Sequence, residues 1–105
     1  MLKVLSKEIH QNAVDHGFYE PVPSFGEIIA LCHSELSEAL EQHRDGKQIL
    51  YHTDGKPEGV AVEMADCLIR ILDWFGTVDV DVDAVVLSKH AYNKNRPYKH
   101  GGKRL

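Results

Sequence analysis

Residues 24–44 read SFGEIIALCHSELSEALEQHR, and they carry a well-marked helix start. Ser24 and Glu27 have the S-x-x-E spacing of a capping box, in which each side chain accepts a hydrogen bond from an otherwise unpaired amide of the first turn. The helix is expected to run to about Arg44 and to stop at Gly46, because glycine is common just past a helix end. This segment therefore predicts one long helix.

One face of this helix combines apolar side chains with a carboxylate. At about 100° per residue, the apolar stripe comprises Ile28, Leu31, Cys32, Leu36 and Ala39. Glu35 falls inside the stripe, and Glu38 lies at its edge. Burying a lone carboxylate is strongly unfavourable unless it is paired or bound to a metal. Glu35 is therefore a candidate functional residue.

Three further helices are expected around this one. The first covers residues 6–16. The third has Pro57 as its first helical residue and runs to about Phe75, since proline suits that position. The fourth starts near Asp81, a suitable N-cap, and ends before residue 96. The sequence thus predicts an all-α, four-helix bundle in a single domain over the 105 residues, and a chain of this size gains from being completed by a partner copy.

Residues 78–83 allow two other interpretations. Valine and aspartate alternate there, which is also the pattern of a half-buried β-strand, and this alternative stays open. Aspartates at alternate positions also begin a calcium-binding loop, which needs glycine at its sixth position and glutamate at its twelfth. The chain has Ala84 and His90 at those positions, so a calcium loop is excluded.

Helix three presents a wide apolar arc and a narrow polar strip. The pairs Glu35/Glu38 and Glu63/Asp66 both have i, i+3 spacing, so each pair lies on one helical face. If helices two and three pack side by side, the four carboxylates converge and require a cation. An all-oxygen site of this kind suits Mg²⁺ or Mn²⁺. The alternative, that both pairs belong to an ordinary solvated surface, also stays open.

Residues 35–38 (ELSE) and 63–66 (EMAD) flank a 24-residue interval. This arrangement is similar to the ExxE…ExxD signature of the MazG-like, all-α nucleotide pyrophosphohydrolases. Three flanking segments resemble small MazG-like proteins in the same order along the chain: residues 16–19 (HGFY), residues 25–27 (FGE) and the lysine, asparagine and arginine-proline positions of residues 89–97. The resemblance therefore covers nearly the whole chain.

The resemblance implies a helical core that forms homodimers or homotetramers. It also implies Mg²⁺-dependent cleavage of a nucleoside triphosphate between the α and β phosphates, which gives the monophosphate and pyrophosphate. Glu35, Glu38, Glu63 and Asp66 would hold the metal. The first three would be the catalytic carboxylates, with Glu38 as the base that accepts a proton from the attacking water. Only one such module is present, which leaves the substrate base and the biological role open.

Charge is distributed unevenly along the chain, whose formal net charge is −4. The first 88 residues carry −10, whereas the remaining 17 carry +6 and no acidic residue. In helix four, Lys89, Asn93 and Arg96 continue the apolar stripe of the first turns. They are therefore expected to point inward and to contact phosphate and sugar. The alternative is that the helix end simply leaves the core. Residues 98–105 are expected to form a flexible basic tail.

Composition is that of an ordinary globular domain, with 43% hydrophobic and 27% charged residues. The apolar runs are shorter than the ~20 residues of a membrane helix, and no export signal is expected. Two cysteines without Cys-x-x-Cys spacing favour the cytoplasm. Three other functions stay open: a non-catalytic nucleotide- or metal-binding module, a small nucleic-acid-binding protein and a structural role in an assembly. The acidic body argues against the second, because nucleic-acid affinity needs dense cationic surface.

Overall fold

The computed structural model of the protein describes residues 1–104. Its elements, in chain order, are α1 (Leu2–Asp15), α2 (Phe25–Arg44), β1 (Tyr51–Thr53), β2 (Lys56–Glu58), α3 (Val60–Phe75), α4 (Val82–Lys94) and the short α5 (Lys99–Gly102). The prediction of a mostly helical chain with four main helices is therefore confirmed. The short helix α5 lies within the predicted flexible tail, and the last residue of that tail, Leu105, lies outside the described residues.

The capping box at the start of α2 forms as predicted. The Ser24 hydroxyl accepts a hydrogen bond from the Glu27 amide at 3.1 Å, and the Glu27 carboxylate accepts one from the Ser24 amide at 3.3 Å. The helix ends at Arg44, followed by Gly46 with a positive φ of 67°. Both ends of the central helix are thus set by local sequence.

The start of α3 differs from the prediction, because Pro57 lies in strand β2 and the helix begins only at Val60. Strands β1 and β2 form an antiparallel hairpin in which Tyr51 pairs with Glu58. Asp54 and Gly55 at its tip both have positive φ, the backbone signature of a type I′ turn. The Asp-Gly dipeptide could have predicted this hairpin, and proline is tolerated because neither strand has a second neighbour.

Helix α1 begins at Leu2, earlier than the predicted residue 6. The Asp83 carboxylate accepts hydrogen bonds from the backbone amides of Leu2 and Lys3 at 3.0 and 2.9 Å, which satisfies unpaired donors of the first turn. The same bonds hold the pKa of Asp83 below its usual range, and the bond from the Lys3 amide has the largest effect. Because Asp83 comes from α4, this longer helix could not be foreseen from the local sequence.

Helix α4 begins as predicted at its N-cap Asp81, whose carboxylate accepts a hydrogen bond from the Ala84 amide at 3.2 Å. The alternative strand over residues 78–83 does not form, and within residues 1–104 the hairpin strands β1 and β2 are the strands present. Residues 82 and 83 therefore begin a helix, because the Asp81 side chain caps it, although the alternation of valine and aspartate also fits a strand.

Helix α3 is the centre of the packing, because most of the contacts between helices join it to α2 or to α1. The α1–α3 contact is close: a Cβ on Gly76 would lie 2.5 Å from the Cβ of His10, so only glycine fits there. The Ser6 hydroxyl donates to the Leu72 carbonyl across the same contact, and both residues are buried. Helix α4 packs mainly on α1.

The chain exposes more surface than a compact monomer does. Its accessible area is 8164 Å², against about 5,900 Å² expected for a mass of 11.8 kDa. Its radius of gyration is 16.4 Å, against about 13 Å for a compact chain of this length. Among the described residues, five apolar side chains are buried: Cys32, Ala39, Cys67, Leu72 and Val82. None of the described helices combines the length and apolarity that crossing a membrane requires.

Candidate metal centre

The packing of α2 against α3 brings three of the predicted carboxylates together. Glu35, Glu63 and Asp66 each offer a carboxylate oxygen, and these oxygens lie within 4.8 Å of one another. Glu35 is buried, with 7% of its surface exposed, whereas Glu63 and Asp66 are half-buried. Glu38, the fourth predicted carboxylate, is exposed and does not belong to this group of three. The i, i+3 spacing on two adjacent helices therefore does produce convergence.

Arg70 on α3 pairs with the buried carboxylate of Glu35. Its Nε atom donates a hydrogen bond to Glu35 Oε1 at 2.9 Å, and its Nη2 atom forms an ion pair with the same oxygen at 2.9 Å. The sequence indicated that Glu35 needs a partner but did not identify Arg70. The one available signal was a single cation in the otherwise acidic polar strip of α3. The pair explains how a carboxylate can lie in the apolar α2–α3 interface.

The carboxylates differ in their tendency to ionise. Burial opposes the ionisation of Glu35, but the hydrogen bonds of Arg70, Glu38 and Glu63 outweigh it and hold the pKa of Glu35 below its usual range. Burial, followed by hydrogen bonds with Glu38 and Glu35, raises the pKa of Glu63 to about 7. Burial and then the charge of Glu35 also raise the pKa of Asp66. The metal-free cluster therefore retains a proton near neutral pH, in the manner of closely spaced carboxylates.

A divalent cation fits this set of ligands. Carboxylate oxygens are the ligands that Mg²⁺ and Mn²⁺ prefer, and Mg²⁺ keeps several waters beside one or two carboxylates. Glu35, Glu63 and Asp66 each offer one such oxygen, and Glu38 lines the same acidic cavity as these three. The cluster holds more negative charge than Arg70 compensates, which favours uptake of a cation.

Two cavities meet at the cluster. One, of about 430 Å³, is lined mostly by acidic side chains from α2, β2 and α3, including Glu38 and Glu63. We call it the acidic cavity. The other, of about 380 Å³, is lined by apolar side chains from α1, the α1–α2 connection, α2 and α3. We call it the apolar slot. Glu35 and Asp66 line both cavities, so the candidate metal ligands form the boundary between them.

Asp73 adds a polar group to the wall of the apolar slot. Its carboxylate accepts a hydrogen bond from the Tyr19 hydroxyl at 3.0 Å and pairs with Nδ1 of His10 at 2.9 Å. The His10 and Tyr19 rings meet edge to face at 4.6 Å. Burial, the hydrogen bond to Asp73 and its charge raise the pKa of Tyr19 to about 12. This trio could not be predicted from the sequence, because its members come from separate segments without a common spacing.

The predicted basic residues lie on α4 and just after its end, whereas the carboxylates lie on α2 and α3. The Lys89 Nζ and Arg96 Cζ atoms lie 4.7 and 5.7 Å from the centroid of the Tyr92 ring. Neither residue lines the acidic cavity or the apolar slot, and the same holds for Asn93. The Oδ1 atom of Asn93 is buried without a hydrogen-bond partner. Their predicted role as phosphate and sugar contacts therefore stays a prediction.

The chain was compared with protein-family models, with curated proteins and with solved structures, and none of them matches it. What can be inferred about function therefore comes from the residues of the cluster and of the two cavities.

Proposed function

We propose that the protein is a Mg²⁺-dependent nucleoside triphosphate pyrophosphohydrolase, with Mn²⁺ as a possible substitute, that releases the nucleoside monophosphate and pyrophosphate. The observation that carries the proposal is the position of Glu35 and Asp66 between the acidic cavity and the apolar slot. A nucleotide has the same division, with a flat, largely apolar base at one end and a metal-binding phosphate chain at the other. The ligand set and the resemblance to MazG-like enzymes point the same way.

Each carboxylate has a distinct part in this proposal. Arg70 keeps Glu35 ionised and oriented, so Glu35 is available as a metal ligand. Asp66 and Glu63 would complete the metal-binding set, with Glu63 in its ionised form. Glu38 is exposed and accepts the proton of the attacking water. The ion, when bound, supplies charge neutralisation for the phosphates and lowers the pKa of a bound water.

The apolar slot is the proposed site of the nucleobase. Its aliphatic and aromatic lining can cover the faces of a ring, and Phe18 and Leu31 are among its exposed apolar side chains. Asp73, held by two neighbours, offers carboxylate oxygens to amino or imino hydrogens on the edge of a base. The slot therefore gives the protein a means of distinguishing bases.

The remaining parts of the proposal concern the assembly and its location. We infer that the active form is a homodimer or homotetramer, because the accessible surface exceeds that of a compact monomer and many large apolar side chains are exposed. Lys89, Asn93 and Arg96 are the proposed phosphate and sugar contacts. Cys32 and Cys67 are free and buried thiols, which suit the reducing cytoplasm.

The test is an assay with each common ribo- and deoxyribonucleoside triphosphate in the presence of Mg²⁺, with detection of pyrophosphate and of the monophosphate. Glu63→Gln is expected to abolish turnover, whereas the matched variant Glu41→Gln, which changes another carboxylate of the acidic cavity outside the cluster, is expected to retain it. Release of inorganic phosphate in place of pyrophosphate would contradict the proposal. Mg²⁺-dependent nucleotide binding without turnover would instead identify a non-catalytic binding module.

A further inference from the structure

The β1–β2 hairpin forms part of the wall of the acidic cavity, because all three residues of β2 line it. Two hydrogen bonds attach the hairpin to the helices that carry the carboxylates. The Tyr51 hydroxyl donates to the side-chain oxygen of Gln42 on α2 at 3.1 Å. The amide of Ala61, in the first turn of α3, donates to the carbonyl of Ile49 at 3.0 Å, just before β1. The position of the hairpin beside the cluster is therefore fixed at both of its ends.

Lys56 at the start of β2 is, among the described residues, the one lysine or arginine that lines the acidic cavity. Its ammonium nitrogen lies 3.9 Å from Glu58 Oε1, and 77% of its side chain is exposed. An ion pair this exposed contributes little to stability. The other oxygen of Glu58 accepts a hydrogen bond from the Thr53 hydroxyl, so this carboxylate is held without Lys56. Lys56 can therefore exchange Glu58 for an anion that enters the cavity.

The charge of Lys56 acts on the cluster although its ammonium group does not occupy it. Burial and then the charge of Glu35 raise the pKa of Asp66. The positive charges of Arg70 and Lys56 oppose this rise. Among the described residues, Lys56 pairs with Glu58 and with none of the three clustered carboxylates. The oxygens of the cluster thus stay available to a metal ion, and a separate cation lies beside them.

The two cavities give a bound nucleotide a direction. With its base in the apolar slot, the nucleotide passes Glu35 and Asp66, which line both cavities, and its outer phosphates enter the acidic cavity. We propose that Lys56 binds these outer phosphates, which leave as pyrophosphate, and offsets the charge that develops on them. This inference rests on the proposed pyrophosphohydrolase function and adds to it a leaving-group contact on the hairpin.

The part that Lys56 takes in the reaction is electrostatic. The oxygen of water bonds to the α phosphorus, and the bond from that phosphorus to the bridging oxygen breaks. The electron pair of the broken bond stays with pyrophosphate, and the proton of the water passes to Glu38. Lys56 remains protonated throughout, so its positive charge faces the oxygen on which negative charge grows.

Two affinities of the variant Lys56→Gln, measured by calorimetry, test the assignment without turnover. Lys56 repels a metal ion and attracts phosphate, so its removal changes the two affinities in opposite directions. Mg²⁺ alone should bind roughly 2- to 5-fold more tightly. Pyrophosphate should bind the Mg²⁺-loaded protein roughly 10-fold more weakly. Lys56→Arg should keep both affinities near wild type, because a guanidinium also binds phosphate. Lys47→Gln, which removes a lysine that lines neither cavity, is the matched control.

The outcomes separate this assignment from the proposed reaction. Unchanged affinities in Lys56→Gln overturn it, and so does a loss of both, which would mean that Lys56 only supports the shape of the cavity. Opposite changes support it even if the wild type hydrolyses no nucleotide, in which case the pyrophosphohydrolase function alone fails. If the wild type does hydrolyse nucleotides, kcat/KM should fall about 10-fold in Lys56→Gln, and an unchanged value overturns the Lys56 assignment alone. A wild type that binds no pyrophosphate overturns both.

Discussion

Replacing Glu63 by glutamine should stabilise the metal-free protein in a pH-dependent way. The neighbouring carboxylates and burial raise the pKa of Glu63 from 4.5 to about 7. Between these two values the folded state binds more protons at this site than the unfolded state does. The contribution of Glu63 to stability is therefore retained below pH 4.5 and lost as the pH rises to about 7. Glutamine removes this loss, because it carries no ionisable proton.

The size of the effect follows from the pKa. A rise from 4.5 to about 7 corresponds to about 3 kcal/mol at most. Glu63 is half-buried, and solvent screening reduces this to roughly 1–2 kcal/mol. In a domain of this size, that is a rise in Tm of roughly 4–15 °C at pH 8. At pH 4.5 the two proteins should melt together, because Glu63 is then protonated in the folded state.

The assay is a series of thermal melts from pH 4.5 to 8.5 in a metal chelator, at one protein concentration, because the Tm of an oligomer depends on concentration. Glu41→Gln serves as the matched control for loss of a carboxylate in the same cavity. A difference between wild type and Glu63→Gln that is the same at every pH would refute the reasoning. So would a variant that is less stable than the wild type at pH 8.

Three more outcomes are expected. Mg²⁺ at a concentration of 100 Kd should increase the unfolding free energy of the wild type by about 2.7 kcal/mol and so raise its Tm, and it should raise the Tm of Glu63→Gln far less; equal shifts would contradict the metal site. Arg70→Ala should lower the free energy of urea unfolding by about 3–5 kcal/mol, because Glu35 is left buried without its partner; an unchanged midpoint would mean that the pair is not formed. Tyr19→Phe should lower stability by about 1 kcal/mol and raise KM for nucleotides, because Asp73 loses a donor; hydrolysis of inorganic tripolyphosphate, measured in parallel, should not change.

Local signals predicted the elements whose ends are set by nearby residues. The capping box of Ser24 and the cap of Asp81 define the starts of α2 and α4, since each satisfies amides within its own first turn. Where a distant residue decides, prediction from the sequence was wrong: Asp83 of α4 extends α1 to Leu2. The prediction that Pro57 starts a helix was also wrong, because the hairpin turn that precedes it places Pro57 in a strand.

The candidate site divides in the same way. Helical spacing predicted that the carboxylates of α2 and α3 lie on the facing sides of the two helices, and the burial of Glu35 is the observation that the apolar stripe anticipated. Spacing within one helix carries no information on which neighbour supplies a partner. Arg70 and Asp73 therefore acquired their roles only from the packing of α3 against α2 and α1. The same reasoning applies to α4: its stripe predicts an apolar face but not the helix that packs on it, and α4 packs mainly on α1.

The separation of charge between the two ends of the chain has a physical consequence for a metal site. A lysine or arginine held permanently among the carboxylates would neutralise them and compete with a divalent cation for the same oxygens. Arg70 avoids this, because it binds one oxygen of the buried Glu35 and leaves Glu63 and Asp66 to a cation. Among the described residues, Glu63 and Asp66 form no ion pair, so their carboxylate oxygens are not held by a lysine or an arginine. The cluster therefore keeps the excess of negative charge that a divalent cation requires, while Arg70 offsets the charge of the one carboxylate that lies in the apolar interface.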